Sequence, residues 1–200
     1  MRRSFRYSLL VLPLLLSACV PAVRMKGDAS LLAAQQAREQ ALAPVDRWVL
    51  QGRLGVSNGS DGGSGSFSWS QDGEHYEFVL RAPVTGKSFR LSGDNHGALM
   101  EGLDSGPIRG RDAESLMHRA LGWDVPLRDL RAWVLGLRAD GGPAELTFGT
   151  DQLPASLLQD GWSVDYREWD TSHQPPLPKK LYAAKPPYKV KLVIESWQLP

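Results

Sequence analysis

The side chains able to do chemistry in this 200-residue chain are few: one cysteine, four histidines and a serine set among glycines. His75, His96, His118 and His173 stand at no metal-ligand spacing from one another or from the cysteine, and they read as surface or loop histidines. Gly62-Gly63-Ser64-Gly65 invites a nucleophile-elbow reading. Ser66, however, stands where G-x-S-x-G needs its last glycine, and the flanks are loop-like, so a linker is the better reading. No nucleophile–base pair and no pair of carboxylates stands out, as a hydrolase would require. The thiol is different. A charged start (Arg2, Arg3, Arg6), an apolar run from Leu9 to Leu16 and the small residues Ser17-Ala18 precede Cys19, which is the order of a secretory leader. The apolar run is shorter than the roughly 20 residues that span a bilayer. The only cysteine of the chain sits where that leader should be cut.

Leu16-Ser17-Ala18-Cys19 resembles the bacterial lipobox. The resemblance implies that the Cys19 thiol receives a diacylglycerol, that residues 1–18 are then removed, and that Cys19 becomes the first residue of the mature protein with an acyl group on its nitrogen. The plain alternative is a small buried cysteine in an ordinary leader. One acyl chain, at about 0.8 kcal/mol per buried CH2, holds a protein to a bilayer only marginally, whereas three on one cysteine hold it for its lifetime. In enterobacterial lipoproteins an aspartate after the cysteine retains the protein at the inner membrane. By that resemblance Val20 points to the outer membrane. The chain then divides into a lipoprotein signal peptide (1–18), a lipidated tether (19–27) and a single domain (28–200).

Removing residues 1–18 leaves about 180, enough for one domain with a real core. Loss of the three leader arginines takes the formal net charge from +1 to about −2. So neutral a protein is a poor candidate for nucleic acid, where phosphate neutralisation supplies most of the affinity. A single cysteine forms no disulfide within the chain, so stability must come from the core. Seven tryptophans, twenty glycines and fourteen prolines point to a strand-rich fold with many turns.

The elements follow from periodicity. Asp28 or Ser30 caps a helix reaching about Leu42, with Leu31, Leu32, Ala34 and Leu42 as a modest apolar stripe, and Pro44 ends it. From Asp46 the period becomes two, with Trp48, Leu50, Leu54 and Val56 on one face of a strand. Asn58 to Gly65 reads as a flexible loop. Further strands carry Phe67 and Trp69, then Tyr76, Phe78 and Leu80 after an Asp72-Gly73 hairpin, then Phe89 and Leu91, then Leu99 to Leu103, with a short edge piece at Gly106-Pro107-Ile108. Pro83-Val84-Thr85-Gly86 makes a turn. Two helices interrupt the meander: one capped by Asp112 and ended by Gly122, and one opened by Pro126 with Leu127, Leu130, Trp133, Val134 and Leu137 on one face. Strands resume at Ala144–Phe148, Leu153–Gln159 and Trp162–Trp169. After a proline-rich loop from Thr171 to Pro178, Lys180–Ala184 and Lys189–Trp197 close the chain.

About nine or ten antiparallel strands, each with one apolar face, make a sheet wide enough to curl. The two mid-chain helices would lie across its concave side as a lid. The expected fold is therefore mainly β with helices, an unclosed antiparallel β-barrel. Patterning leaves open whether its interior is packed solid or keeps a cavity for an apolar ligand.

An ordered set of motifs behind the lipobox resembles the LolB family. It runs through Trp48, Gly52-Arg53-Leu54, Ser66-Phe67-Ser68-Trp69, Pro83 with Gly86, Leu121-Gly122 and Val125-Pro126-Leu127. It continues through Leu130-Arg131-Ala132-Trp133-Val134-Leu135-Gly136-Leu137, Gly161-Trp162, Tyr166, Pro178 and Lys189-Val190-Lys191-Leu192 with Trp197. The resemblance implies a LolA/LolB-like barrel with a helical lid over an apolar cavity. It also implies a monomer at the outer membrane, its domain facing the periplasm, that accepts lipoproteins from a LolA-like periplasmic carrier and inserts them among outer-membrane lipids. No cofactor, metal or catalytic residue is implied, and no G-x-x-x-x-G-K-[ST] motif for ATP occurs in the chain. A soluble LolA-like carrier shares the fold, but Cys19 argues against that assignment.

The resemblance implies candidate acyl-chain cavity residues among the apolar positions: Phe67, Trp69, Phe78, Leu80, Phe89, Leu91, Leu116, Leu130, Trp133, Val134, Leu192 and Ile194. Each is equally well explained as core. The family carries an exposed leucine, associated with membrane delivery, at the tip of the loop where Val84 stands here. Lys179, Lys180, Lys185, Lys189 and Lys191 make the C-terminal region basic, which fits either a solvated face or a docking surface for an acidic partner or lipid headgroups. The rival functional readings are a lipid or cell-wall hydrolase and a structural outer-membrane lipoprotein with a solid core.

Overall fold

The computed structural model describes residues 24–82 and 88–200. The leader, Cys19, most of the tether and the Pro83–Gly86 turn with Val84 lie outside them. Among the described residues the order is β1 (Met25–Lys26), α1 (Ala29–Leu42), β2 (Arg47–Ser57), β3 (Gly62–Asp72), β4 (His75–Arg81), β5 (Ser88–Asp94), β6 (Gly97–Glu101), β7 (Ile108–Gly110), α2 (Ala113–Leu121), α3 (Leu127–Val134), β8 (Ala144–Phe148), β9 (Pro154–Gln159), β10 (Trp162–Asp170), β11 (Leu177–Lys185) and β12 (Tyr188–Gln198). The twelve strands form one antiparallel sheet in the order β1-β8-β9-β10-β11-β12-β2-β3-β4-β5-β6-β7. Its edges, β1 and β7, are two and three residues long and do not pair with each other, so the barrel is unclosed. Short edges offer little unpaired backbone to another chain.

Period-two patterning sets the faces. Trp48, Leu50, Leu54, Phe67, Trp69, Leu91, Leu181, Val190, Leu192 and Ile194 are buried on the concave side. Toward one end that interior is solid with aromatic rings. Trp48 meets Trp69 and Trp197 edge-on at centroid distances of 5.1 and 5.6 Å. Gly52 permits the close approach of β12 to β2: a Cβ there would collide with the carbonyl oxygen of Val193, next to the bulge between Ile194 and Ser196 in the β12–β2 pairing.

The lid helices form because each has a start signal, a stop signal and one apolar face. Asp112 caps α2 by accepting from the Ser115 amide at 2.7 Å, and Gly122 ends it in the left-handed conformation (φ 67°). α3 starts after Pro126 and buries Leu127, Leu130, Trp133 and Val134. α2 packs on β5, β6 and β7, and α3 on β11, so together they reach from one edge of the open sheet to its middle strands.

The structure departs from the sequence reading at several points, beginning with twelve strands among the described residues where about nine or ten are expected. Gly62–Gly65 is strand rather than loop, paired with Leu54–Ser57, because ladder bonds need only backbone and a glycine run hides them from a side-chain pattern. β11 begins at Leu177, inside the expected proline-rich loop, and Pro178 is accommodated opposite Trp169 beside a register shift in which Lys179 of β11 is the extra residue. Met25–Lys26, read as tether, pairs with Thr147 and Phe148. The first helix is capped by Asp28, but its buried face is Leu31, Gln35, Arg38 and Leu42, half of it polar.

Candidate functional site

A hollow of about 550 Å³ lies between the concave face and the lid. That is within the range of roughly 300 to 1,000 Å³ typical of ligand sites. β2 and β12 supply Leu54, Val56, Val190 and Leu192, and β4 and β5 supply Phe78, Leu80, Phe89 and Leu91. Met100 comes from β6, Met117 and Leu121 from α2, Trp123 and Val125 from the link between the helices, and Leu127 and Leu130 from α3. Among the described lining residues Arg90 alone is charged. Such a wall offers apolar contact and almost no hydrogen bonding, so it suits a hydrocarbon ligand. The unbranched side chains of Met100 and Met117 can repack around occupants of different shape.

One wall is nearly bare. Gly62, Gly63 and Ser64 line the hollow at the start of β3. Gly63 stands opposite the inward-facing Val56, and a Cβ built on it meets nothing within 4 Å. The two glycines thus put no side chain into this part of the hollow.

Of the twelve residues that the sequence offers as cavity candidates, six line the hollow: Phe78, Leu80, Phe89, Leu91, Leu130 and Leu192. The other six are buried without lining it. Phe67 stacks on Phe78 at 5.4 Å, Trp69 packs against Trp48 and Phe78, and Leu116, Trp133, Val134 and Ile194 belong to the solid core. Sequence reasoning missed Leu54, Val56, Met100, Met117, Leu121, Trp123, Val125, Leu127 and Val190. Their signal was position as well as polarity: several sit near strand ends or helix ends, where the shell opens.

Polar ties hold the lid in place. Tyr188, at the start of β12, donates to Asp124 Oδ2 at 2.7 Å, and His118 Nδ1 lies 2.7 Å from Asp124 Oδ1. The Tyr188 hydroxyl and then His118 hold the Asp124 carboxyl below its ordinary value, against the opposing effect of burial. Trp123 and Val125, on either side of Asp124, are thereby fixed over the hollow. Deeper in, Trp133 Nε1 and the Ala139 amide donate to Gln159 Oε1 at 3.3 and 2.9 Å, while Gln159 Nε2 donates to the Ala139 carbonyl at 2.8 Å. Tyr166 donates to the Trp133 carbonyl at 3.2 Å, and burial pushes its phenol well above the ordinary range.

A second hollow of about 510 Å³ runs past Trp69, Tyr76 and the start of α3, lined by Glu74, Asp94, Asp112, Glu114, Arg111, Arg128 and Arg131. Its mixed charges do not suit hydrocarbon. His75, His96 and His118 are exposed and His173 is half-buried, and none of the four is among the described residues that line the first hollow.

The sequence profile of the family described as outer membrane lipoprotein LolB matches residues 46–197. The chain is 39% identical over 199 residues to the outer-membrane lipoprotein LolB of Xanthomonas campestris pv. campestris (strain B100), covering 92% of this chain and 91% of the relative. It is 33% identical over 173 residues to the protein of the same name from Xylella fastidiosa (strain Temecula1), covering 85% and 79%. Among solved structures, a LolA superfamily protein from Nitrosomonas europaea superposes with a TM-score of 0.53 at 10% identity, covering 83% of this chain and 93% of that one. A DUF1329 family protein from Desulfovibrio piger does so with a TM-score of 0.50 at 7% identity, covering 84% and 92%. At those identities the likeness is one of fold.

Proposed function

Because this chain belongs to the outer membrane lipoprotein LolB family, we propose that it is anchored to the outer membrane through a lipidated Cys19, faces the periplasm, and takes lipoproteins from a LolA-like carrier by receiving their acyl chains in the hollow beneath α2 and α3. The coarse role, lipoprotein sorting at the outer membrane, goes with the family. The acyl-chain reading is supported above all by the apolar lining of the 550 Å³ hollow. A structural lipoprotein packed solid would have no use for it.

The mechanism is binding and transfer, with no bond made or broken. An acyl chain of about 15 carbons gains about 12 kcal/mol on leaving water, at about 0.8 kcal/mol per CH2. Release into solvent between carrier and receptor would therefore be slow, and the chain must move along a continuous apolar path. The bare Gly62–Ser64 wall supplies an opening, and the flexible methionines let the hollow fill and empty without unfolding. Direction needs only that each acceptor holds the chains more favourably than its donor, so no nucleotide is consumed at this step. Val84, in the connection between β4 and β5, is the proposed contact that passes cargo to the bilayer.

The decisive experiment uses a soluble form comprising residues 20–200. Every described element lies between Met25 and Gln198, so this form keeps all of them. It is mixed with a radiolabelled lipoprotein bound to its periplasmic carrier, without detergent or ATP. Movement of label to the soluble form supports the receptor reading. Label that stays on the carrier while the protein is folded and the hollow binds bis-ANS overturns it.

A further inference from the structure

We propose that the outer face of the sheet around Tyr182 rests on anionic phospholipid headgroups of the same bilayer that holds the lipid anchor; this rests on the Cys19 reading given above. The chain joins the sheet on this face. Lys26, Thr147, Ser156, Asp165, Tyr182 and Lys191 stand opposite one another in successive strands and form one row across the outer surface. With strands about 4.8 Å apart, Tyr182 lies about 19 Å along that row from Lys26. Arg24 also lies over the face, its Nη2 2.8 Å from Asp165 Oδ1. Arg24 stands five positions after Cys19, a span of at most about 18 Å. A bilayer that holds the Cys19 lipid is thus within reach of this face.

The face carries the charge such a surface attracts. Arg167 Cζ, Lys180 Nζ and Lys191 Nζ stand 5.4, 5.7 and 5.4 Å from the centroid of the Tyr182 ring. The nearby carboxylates are already engaged: Asp165 is shared between Arg24 and Arg167 at 2.8 and 2.9 Å, Glu168, opposite Lys180, is held by Lys179 at 2.6 Å, and Glu195 is held by Arg53 at 2.9 Å. Among the described residues neither Lys180 nor Lys191 has an ion-pair partner. Leu158, opposite Ser163 on the same face, leaves 49% of its surface exposed. Cations gathered round an amphipathic ring beside an exposed aliphatic group suit a headgroup layer. The adjacent row, Lys180, Val193, Arg53, Ser66 and Arg81, leads to the base of the connection that carries Val84.

The test measures co-sedimentation of residues 20–200 with vesicles of phosphatidylcholine alone or with 30 mole per cent phosphatidylglycerol (about one headgroup in three anionic, where each basic residue near the surface strengthens binding about fivefold). Binding should need phosphatidylglycerol and be lost in high salt. The double substitution Lys180→Gln with Lys191→Gln should weaken it about tenfold or more, Tyr182→Ala should weaken it further, and Arg47→Gln, far along β2, should leave it unchanged. Circular dichroism and bis-ANS uptake check that each variant is folded. No binding to anionic vesicles, or binding indifferent to the lysine substitutions, overturns the proposal. So does a result in which those substitutions slow uptake from the carrier but leave vesicle binding intact, since the face would then be a protein-docking surface. Vesicle binding by this form together with failed uptake of label, or with an unmodified Cys19 by mass spectrometry of the membrane protein, would keep the face and reject the receptor or anchor reading instead.

Discussion

Arg38 on α1 donates through Nη2 to the carbonyl oxygen of Leu135, 2.7 Å away at the C-terminal end of α3, and so ties the first helix of the domain to the helix that covers the hollow. Three neighbouring contacts make the tie a clamp. Gln35 Nε2 donates to the Gly136 carbonyl at 3.1 Å, Arg138 makes two hydrogen bonds to Glu39 at 2.6 and 2.8 Å, and the Arg38 guanidinium lies 4.7 Å from the centroid of the Trp169 ring. Arg38 and Gln35 meet carbonyls just past the end of α3, where backbone carbonyls lack helical partners of their own. Burial lowers the Arg38 pKa to about 10, which leaves it charged at any working pH.

Arg38→Ala should therefore destabilise the domain by about 1.5 to 3 kcal/mol, the usual range for a hydrogen bond from a charged donor. Urea unfolding followed by tryptophan fluorescence measures this. An unchanged midpoint and slope would show that α1 does not hold α3.

Glu39 gives the clamp a pH dependence. Burial pushes its carboxyl up, but hydrogen bonds from Arg138 and Gln35 outweigh that and leave its pKa below the ordinary value of 4.5. A lowered folded-state pKa contributes stability that is fully present above about 4.5 and is lost as pH falls through the folded value. The stability difference between wild type and Glu39→Gln should be under about 1 kcal/mol at pH 7, as expected for a partly exposed pair, and shrink below pH 4. A difference that stayed constant from pH 7 to pH 3 would place the effect elsewhere.

Val84→Glu should leave the fold and the uptake of label from the carrier unchanged and slow delivery into vesicles several-fold. A carboxylate in contact with acyl chains costs more than the small apolar gain valine makes there. Delivery at the normal rate would remove Val84 from the mechanism.

The strands with one apolar face and both lid helices were legible because burial on one side writes a period of 2 or 3.6 into the sequence, as Trp48-Leu50-Leu54 and Leu127-Leu130-Val134 do. The start of β3 was not, because Gly62 and Gly63 join the sheet through backbone alone. The clamp was invisible for a related reason. Gln35 and Arg38 occupy the inward positions of α1 and look like solvent-facing residues until Leu135 and Gly136, some hundred residues away, supply their acceptors. Within the apolar positions, period shows only that a side chain points inward. It does not tell Leu192, which lines the hollow, from Ile194 two residues on, which is packed in the core. That distinction depends on distance from the open end of the shell, a property of the assembled sheet.

Gly63→Phe tests whether the hollow is what the protein uses. Gly63 faces inward opposite Val56 and does not have a positive φ, and a Cβ there meets nothing within 4 Å, so the ring enters open space without backbone strain. A phenylalanine would fill part of the 550 Å³ and obstruct the bare wall. The expected outcome is an unchanged or slightly raised unfolding midpoint, bis-ANS binding weakened several-fold, and a comparable loss in uptake of label from the carrier. Gly52→Ala serves as the contrast. Its methyl would collide with the Val193 carbonyl, so it should destabilise the sheet without narrowing the hollow. If Gly63→Phe is folded, excludes the dye and still takes up label at the normal rate, acyl chains do not enter by this route, and the apolar hollow is not the receiving site.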